Sequence, residues 1–307
     1  MVLLHAAAQV AAPLLYAFPD YQPLAAGLHR MVDVRDGNFA RGRFANGELY
    51  IQLHTLPDRA HCIALGTIAP PDEQLLALVL LCHTLRKEGA GEITALLPYL
   101  AYARQDRDEP GRSRAIGWMG TALQDAGITE IVTVDIHSRQ AVELFPIPVF
   151  SLAPAALYAA EIQNLAWQHA ALVAPDAGAV GRCEAVKEAG GLTGPIIHLR
   201  KERTADGVHS ELEGNAESQA VIIDDMLDTG ETLLACCQAL RQAGTERIMI
   251  MVTHGLFTGT AWERLWDLGV ERLFCMDTVP HPAMRDDERI RTISALPLIA
   301  EFFQHNS

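Results

Sequence analysis

Val221-Ile-Ile-Asp-Asp-Met-Leu-Asp-Thr-Gly-Glu-Thr-Leu233 is a buried-type strand that runs into a tight polar turn and then a helix. Gly230 permits backbone angles that a side chain resists, so amides from Thr229 to Thr232 can surround an anion at the helix N-terminus. The hydroxyls of Thr229 and Thr232 add donors, and Asp228 and Glu231 complete the turn. Asp224 and Asp225 come earlier; as carboxylates they suit sugar hydroxyls and cannot usefully face the phosphate itself. A plainer reading makes Asp228 or Thr229 a helix cap with the two acids solvated. The β-branched strand, the acid pair and the glycine in one segment favour a sugar-phosphate site instead.

The same rhythm extends outward in both directions. Apolar runs at Ile63–Gly66, Ile93–Leu97 and Ile131–Val134 alternate with amphipathic stretches at Leu75–Glu88 and Gly117–Ala126. After Phe145-Pro-Ile-Pro148 the pattern restarts with a helical stretch to about His169 and continues through Ala171–Ala174, Gly178–Ala189, Ile196–Leu199, Ala220–Ile223, Glu231–Ala243 and Arg247–Thr253. This βαβ alternation predicts two α/β halves, residues 1–150 and 151–307. Polar residues follow the strands at Leu97-Pro-Tyr, Val134-Asp-Ile-His, Ala174-Pro-Asp-Ala-Gly and Ile223-Asp-Asp, the edge where open α/β sheets bind ligands. Such ends in both halves suggest a shared cleft. Arg203 to Ser218, polar and glycine-containing, reads as a mobile loop.

Half of the 307 residues are apolar and a fifth are charged, as in a soluble globular protein. A formal charge of −14 argues against a general nucleic-acid or acidic-membrane binder, so any anionic ligand must be held by locally concentrated cations and amides. The six cysteines lack CxxC spacing and read as reduced, packed thiols, which points to the cytoplasm. Met1 to Phe18 is apolar but has no basic residue ahead of its apolar run, so it reads as a strand at Val2–His5 leading into a helix rather than as a signal peptide. No apolar run reaches the roughly 18 residues of a membrane span.

The Val221–Leu233 segment resembles the phosphoribosyl-pyrophosphate motif shared by type I phosphoribosyltransferases and ribose-phosphate pyrophosphokinases. Leu97-Pro-Tyr-Leu-Ala-Tyr-Ala-Arg-Gln-Asp-Arg107 resembles the ATP-binding signature of the pyrophosphokinases, which ordinary phosphoribosyltransferases lack. Its chemistry is legible: Arg104 and Arg107 offer planar donor forks to a polyphosphate, and Gln105 can hydrogen-bond a nucleotide. Gly42-Arg-Phe-Ala-Asn-Gly-Glu48, Val134-Asp-Ile-His-Ser138, Pro175-Asp-Ala-Gly178, Lys201-Glu-Arg203 and Thr253-His-Gly255 match in the same order, so the likeness spans nearly the whole chain.

The resemblance implies two phosphoribosyltransferase-like domains, each a mainly parallel sheet flanked by helices, with ATP bound by the first and ribose 5-phosphate by the second. It implies that Phe44, Asn46 and Glu48 form an adenine pocket completed across a subunit boundary in a homo-oligomer, either dimer or hexamer. Asn46 stands where the usual pattern has aspartate. His137 and Asp176 would serve Mg²⁺, and Lys201 and Arg203 would be the cations of a catalytic loop; the Lys-x-Arg spacing resembles members with a shortened loop. The implied reaction is transfer of pyrophosphate from Mg·ATP to C1 of ribose 5-phosphate. A phosphoribosyltransferase that consumes the activated sugar and a non-catalytic regulatory relative are the rival readings. The first leaves Arg104–Arg107 and Lys201 without a use. The second sits poorly with the retained charges at His137, Asp176, Lys201 and Asp224–Asp225.

Overall fold

Short apolar strands alternate with helices through the computed structural model, which describes residues 11–106, 108, 110–204, 207–214 and 216–306. The chain divides into two units, one running to Ser151 and taking in the segment from Ile299 on, the other spanning Leu152–Leu298.

The first unit contains β1 (Leu14–Ala17), α1 (Gln22–Met31), β2 (Arg35–Asp36), β3 (Phe39–Arg43), β4 (Leu49–Leu53), β5 (Cys62–Leu65), α2 (Glu73–Lys87), β6 (Ile93–Leu96), α3 (Ala115–Asp125), β7 (Glu130–Val134), α4 (Arg139–Val142) and β8 (Val149–Leu152). Its main sheet has the order β2-β1-β5-β6-β7-β8, with parallel pairing from β2 through β7. The central strands are almost wholly apolar, as expected of a parallel sheet shielded on both faces: all four residues of β5 and of β6 are buried, Thr94 being the one polar residue among them. β3 and β4 form a separate antiparallel hairpin, and α2 packs against β4, β5 and β6.

The second unit contains α5 (Ala155–Asn164), β9 (Ala171–Ala174), α6 (Val180–Gly190), β10 (Ile196–Thr204), β11 (Gly207–Glu213), β12 (Gln219–Leu227), α7 (Glu231–Gln242), β13 (Arg247–Gly255), β14 (Val270–Met276), α8 (Ala283–Asp286) and β15 (Ile290–Ile293); α9 (Leu296–His305) follows. The sheet order is β11-β10-β9-β12-β13-β14-β15, all pairs parallel except β10–β11. On one face Ala220 and Ile222 of β12 and Ile248, Ile250 and Val252 of β13 join Leu233, Cys236, Cys237 and Leu240 of α7 in a single apolar cluster. Val221, Ile222 and Ile223 have no exposed surface, and each contributes about 1.5 to 3 kcal/mol by burial, which helps hold two acids at the sheet's edge.

Three local expectations change. The strand at Val2–His5 lies outside the described residues, and Leu14–Ala17, expected within a helix, is the strand β1. A four-residue apolar run buried between two neighbours gives no periodicity that separates strand from helix. After Phe145-Pro-Ile-Pro148 the chain forms β8 before any helix, since proline biases its neighbourhood toward extended backbone and α5 starts only beyond Pro154. The stretch from Arg203, read as a mobile loop, is largely a ladder: β10 runs to Thr204 and pairs antiparallel with β11, Lys201 opposite Ser210 and Arg203 opposite Val208. Residue-by-residue pairing of β10 with β11, rather than polar and glycine content, decides that segment. All six cysteines are buried and free, and no helix among the described residues is long and apolar enough to cross a membrane.

Candidate active site

In the second unit the strand β12 delivers its acids further into the sheet than the sequence suggested, because the ladder with β13 continues through Asp224 opposite Val252 to Leu227 opposite Gly255. Asp224 and Asp225 are therefore strand residues, 8% and 3% exposed, rather than the first residues of a loop. The turn then follows directly. Gly230 takes φ +88° and caps α7, and a Cβ there would lie 2.8 Å from Cα and Cβ of Trp262, so the turn is closed against a second segment as well as left-handed. Backbone amides of Leu256 and Thr258 donate to Leu227 O (2.8 Å) and Asp228 O (3.0 Å), pinning the loop from behind. Thr229 and Glu231 are exposed, Asp228 and Thr232 half-buried, and the first-turn amides of α7 have no partner within the helix. The geometry can cradle a phosphate beside two buried carboxyls.

Those carboxyls are unequal. Burial first, then the charge of Asp225 and a side-chain hydrogen bond to it, then the charge of Asp176, push the Asp224 carboxyl well above the usual carboxylate range. Asp225 lies 3.7 Å from the guanidinium Nη1 of Arg182 on α6. Asp176, at the end of the neighbouring strand β9, is exposed, and its Oδ1 accepts from the amides of Gly178 (2.8 Å) and Ala179 (3.1 Å). Three acids thus gather at one sheet edge, where their mutual repulsion favours a bound cation. Hard carboxylate oxygens suit Mg²⁺, which keeps waters and substrate phosphates in its shell. Among the described residues no group of three or more His, Cys, Asp or Glu is arranged to hold a metal by protein ligands alone. The buried Cys183 thiol is pushed up to about 12 by desolvation, with the Asp224 charge adding to it, which makes it an inert packing group. Lys201 and Arg203 lie on β10, on the far side of β9 from β12.

In the first unit the expected adenine residues lie at the β3–β4 hairpin turn. Phe44 is 58% exposed, its ring centroid 5.0 Å from that of Tyr50, and Asn46 Oδ1 accepts from the Glu48 amide at 3.1 Å, closing the turn. Phe44 and Glu48 line a cavity of about 610 Å³ with Arg43, Asp72, Glu73 and Leu76. Arg41 and Arg43 both pair with Glu73 at the start of α2, which fixes the hairpin to that helix. Arg104 and Gln105 follow β6 on an exposed loop, where Ser113 Oγ donates to Gln105 Oε1 at 3.1 Å; Arg107 lies outside the described residues. The loop is tied to the cavity by Tyr102, whose hydroxyl donates to Asp72 Oδ1. His137 is exposed after β7, just past Asp135, which takes φ +43°. Left-handed backbone at Tyr102 (φ +65°) and Asp135 costs about 1 to 2 kcal/mol each and falls in two loops singled out by motif.

Sequence reasoning assigned no role to Arg182, Asp72 or Tyr102. Tyr102 stood inside a quoted motif, whereas Asp72 and Arg182 carried no local signal beyond being charges near helix starts.

An acid-flanked anion cradle at the carboxyl edge of a parallel sheet defines an α/β protein that handles a phosphorylated sugar. Comparison narrows the class. Residues 14–127 match the family described as the N-terminal domain of ribose phosphate pyrophosphokinase, and residues 169–306 that described as the phosphoribosyl synthetase-associated domain. Ribose-phosphate pyrophosphokinase of Thermotoga maritima is 32% identical over 289 residues, covering 91% of this chain and 90% of that one. The Ralstonia nicotianae protein of the same name is 31% identical, with coverage of 91% and 90%. The crystal structure of phosphoribosylpyrophosphate synthetase from Mycobacterium smegmatis superposes with TM-score 0.87 at 26% identity, covering 96% of this chain and 100% of that chain. The chain belongs to the ribose-phosphate pyrophosphokinase family, and its fold is the expected pair of α/β domains with parallel-dominated sheets. These likenesses favour neither the phosphoribosyltransferase nor the non-catalytic reading.

Proposed function

We propose that this chain is a ribose-phosphate diphosphokinase: the C1 hydroxyl of ribose 5-phosphate attacks the β-phosphorus of ATP in line, giving 5-phosphoribosyl 1-pyrophosphate and AMP for nucleotide biosynthesis. The observation that carries this reading is the left-handed Gly230 cap of α7 set directly after the buried Asp224–Asp225 pair. Transfer of this kind asks the protein for alignment and charge neutralisation. Asp228 to Thr232 hold the 5-phosphate, and Asp224 and Asp225 orient the ribose hydroxyls. Arg104, Gln105 and Arg107 hold the polyphosphate, and Phe44, Asn46 and Glu48 the adenine. Lys201 and Arg203 neutralise charge that spreads over the transferring group.

Asp176 and His137 are the residues that would hold Mg²⁺, which supplies charge neutralisation on the ATP phosphates when bound. The exposed Phe44 and the neighbouring Leu76, 51% exposed, support an adenine site completed by a second subunit in a dimer or hexamer. The buried, free cysteines fit a cytoplasmic protein. The test is to incubate pure protein with Mg²⁺, ATP and ribose 5-phosphate and to measure AMP and the pyrophosphorylated sugar together. Stoichiometric formation of both is expected. Base-dependent pyrophosphate release without ATP would replace this reading with the phosphoribosyltransferase one.

A further inference from the structure

Arg182 belongs to none of the motifs above. It stands on α6 six residues after Asp176, and α6 packs against β9, β10 and β12. Ala220 and Ile222 of β12 join the α7 cluster while Val221 and Ile223 do not. Alternation through Val221 and Ile223 continues to Asp225, which Arg182 reaches from α6, whereas Leu227 at the strand's end turns back to the α7 cluster. The contact is Nη1 to Oδ1 at 3.7 Å, with the two side chains only 18% and 5% exposed. At that separation the pair is electrostatic rather than a short hydrogen bond. Leaving either charge buried without the other is costly, so the two side chains constrain each other. Asp225 is also the partner of Asp224, both through the Asp225 amide, which donates to Asp224 Oδ1 at 2.9 Å, and through the carboxyls themselves. A shift at Arg182 is thereby transmitted to both acids.

We propose that Arg182 is a positioning residue for the sugar: from α6 it anchors the Asp225 carboxylate, so that the acid pair meets the ribose hydroxyls as a fixed acceptor. This rests on the diphosphokinase reading for the identity of the sugar. Kinetics of the full chain with Mg²⁺, ATP and ribose 5-phosphate are compared with Arg182→Gln and Arg182→Lys, together with the thermal shift caused by ribose 5-phosphate alone. Arg182→Gln is expected to raise KM for ribose 5-phosphate about tenfold, with KM for ATP unchanged and kcat affected less. Its thermal shift shrinks in parallel. Arg182→Lys, which keeps the charge without the planar fork, falls between the two. A merely structural arginine would alter both substrates alike, and that result would overturn the proposal, as would an unchanged sugar KM. If Arg182→Gln does not fold, Arg182→Lys decides the matter by the same sugar KM. A wild-type protein that makes no AMP defeats the activity reading instead, and the ribose 5-phosphate thermal shift then still judges Arg182.

Discussion

Tyr102 donates its hydroxyl to Asp72 Oδ1 at 2.6 Å, joining the loop that carries Arg104 and Gln105 to the rim of the cavity lined by Phe44 and Glu48. The bond to Asp72, then burial and the Asp72 charge, hold the phenol at about 12 against an ordinary 10.0. With the folded value raised, the bond's contribution is complete below pH 10 and is lost as pH climbs through about 12, so it is intact at neutral pH. Tyr102→Phe is expected to raise KM for ATP severalfold and leave KM for ribose 5-phosphate unchanged. Stability should fall by no more than about 1 kcal/mol, since the bond is solvent-exposed. Initial rates with each substrate varied in turn check this.

Gly230 predicts a different pattern. At φ +88° an alanine pays about 1 to 2 kcal/mol for left-handed backbone, and its Cβ meets the Trp262 backbone at 2.8 Å, which cannot swing aside like a side-chain tip. Gly230→Ala is expected to lower the urea midpoint and to raise KM for ribose 5-phosphate by about tenfold or more, because the nest amides are displaced. Thr229→Val with Thr232→Val keeps the backbone and should raise the same KM by less, with little change in the midpoint. A normal sugar KM in both variants would remove the cradle from this turn.

The contrast between these two sites shows what was legible in the sequence. Gly230 and the acid pair are local: glycine, strand and helix start lie within a dozen residues, and the strand, turn and helix follow in the order read, the strand running on to Leu227 rather than stopping at Ile223. Tyr102 and Asp72 are 30 residues apart and Arg182 and Asp225 are 43 apart, so only the sheet order brings them together. Polar side chains reaching across strands leave no periodic trace. The same holds at the ends of elements. Leu14–Ala17 is strand because β2 and β5 flank it, and Arg203 onward is hairpin because β11 pairs with β10. For Leu14–Ala17 the deciding partners lie elsewhere in the chain, whereas the hairpin pairs with its own neighbouring segment, Thr204 opposite Gly207.

Asp224 sets function against stability. Its carboxyl is raised well above 3.8 by burial and by Asp225, so the folded protein binds the proton more tightly than the unfolded chain. That contribution is complete below 3.8 and disappears as pH rises through the raised value, which makes the ligand-free protein less stable on this account toward neutral pH. Asp224→Asn removes the ionisation. It is expected to melt at a higher temperature than wild type in metal-free buffer, with the gap widening as pH rises, while its affinity for ribose 5-phosphate falls about tenfold or more. Melting curves across a pH series, with EDTA present, are the measurement. A gap that stays constant with pH would show that folding does not raise the Asp224 carboxyl.

Lys201 separates transition-state charge from sugar binding. On β10 it is two positions from Arg203, the spacing at which a strand repeats its face, and the ladder to Ser210 and Val208 fixes that register. Lys201→Ala is therefore expected to lower kcat about a hundredfold or more, because the charge it meets develops during transfer. The thermal shift with ribose 5-phosphate should stay at the wild-type value, since the proposed ground-state contacts to the sugar lie on β12 and at the start of α7. Arg203→Ala should lower kcat in the same direction, and the double variant should cost less than the product of the two single losses if the pair acts as a unit. Near-normal turnover in purified Lys201→Ala would take the β10–β11 hairpin out of the chemistry.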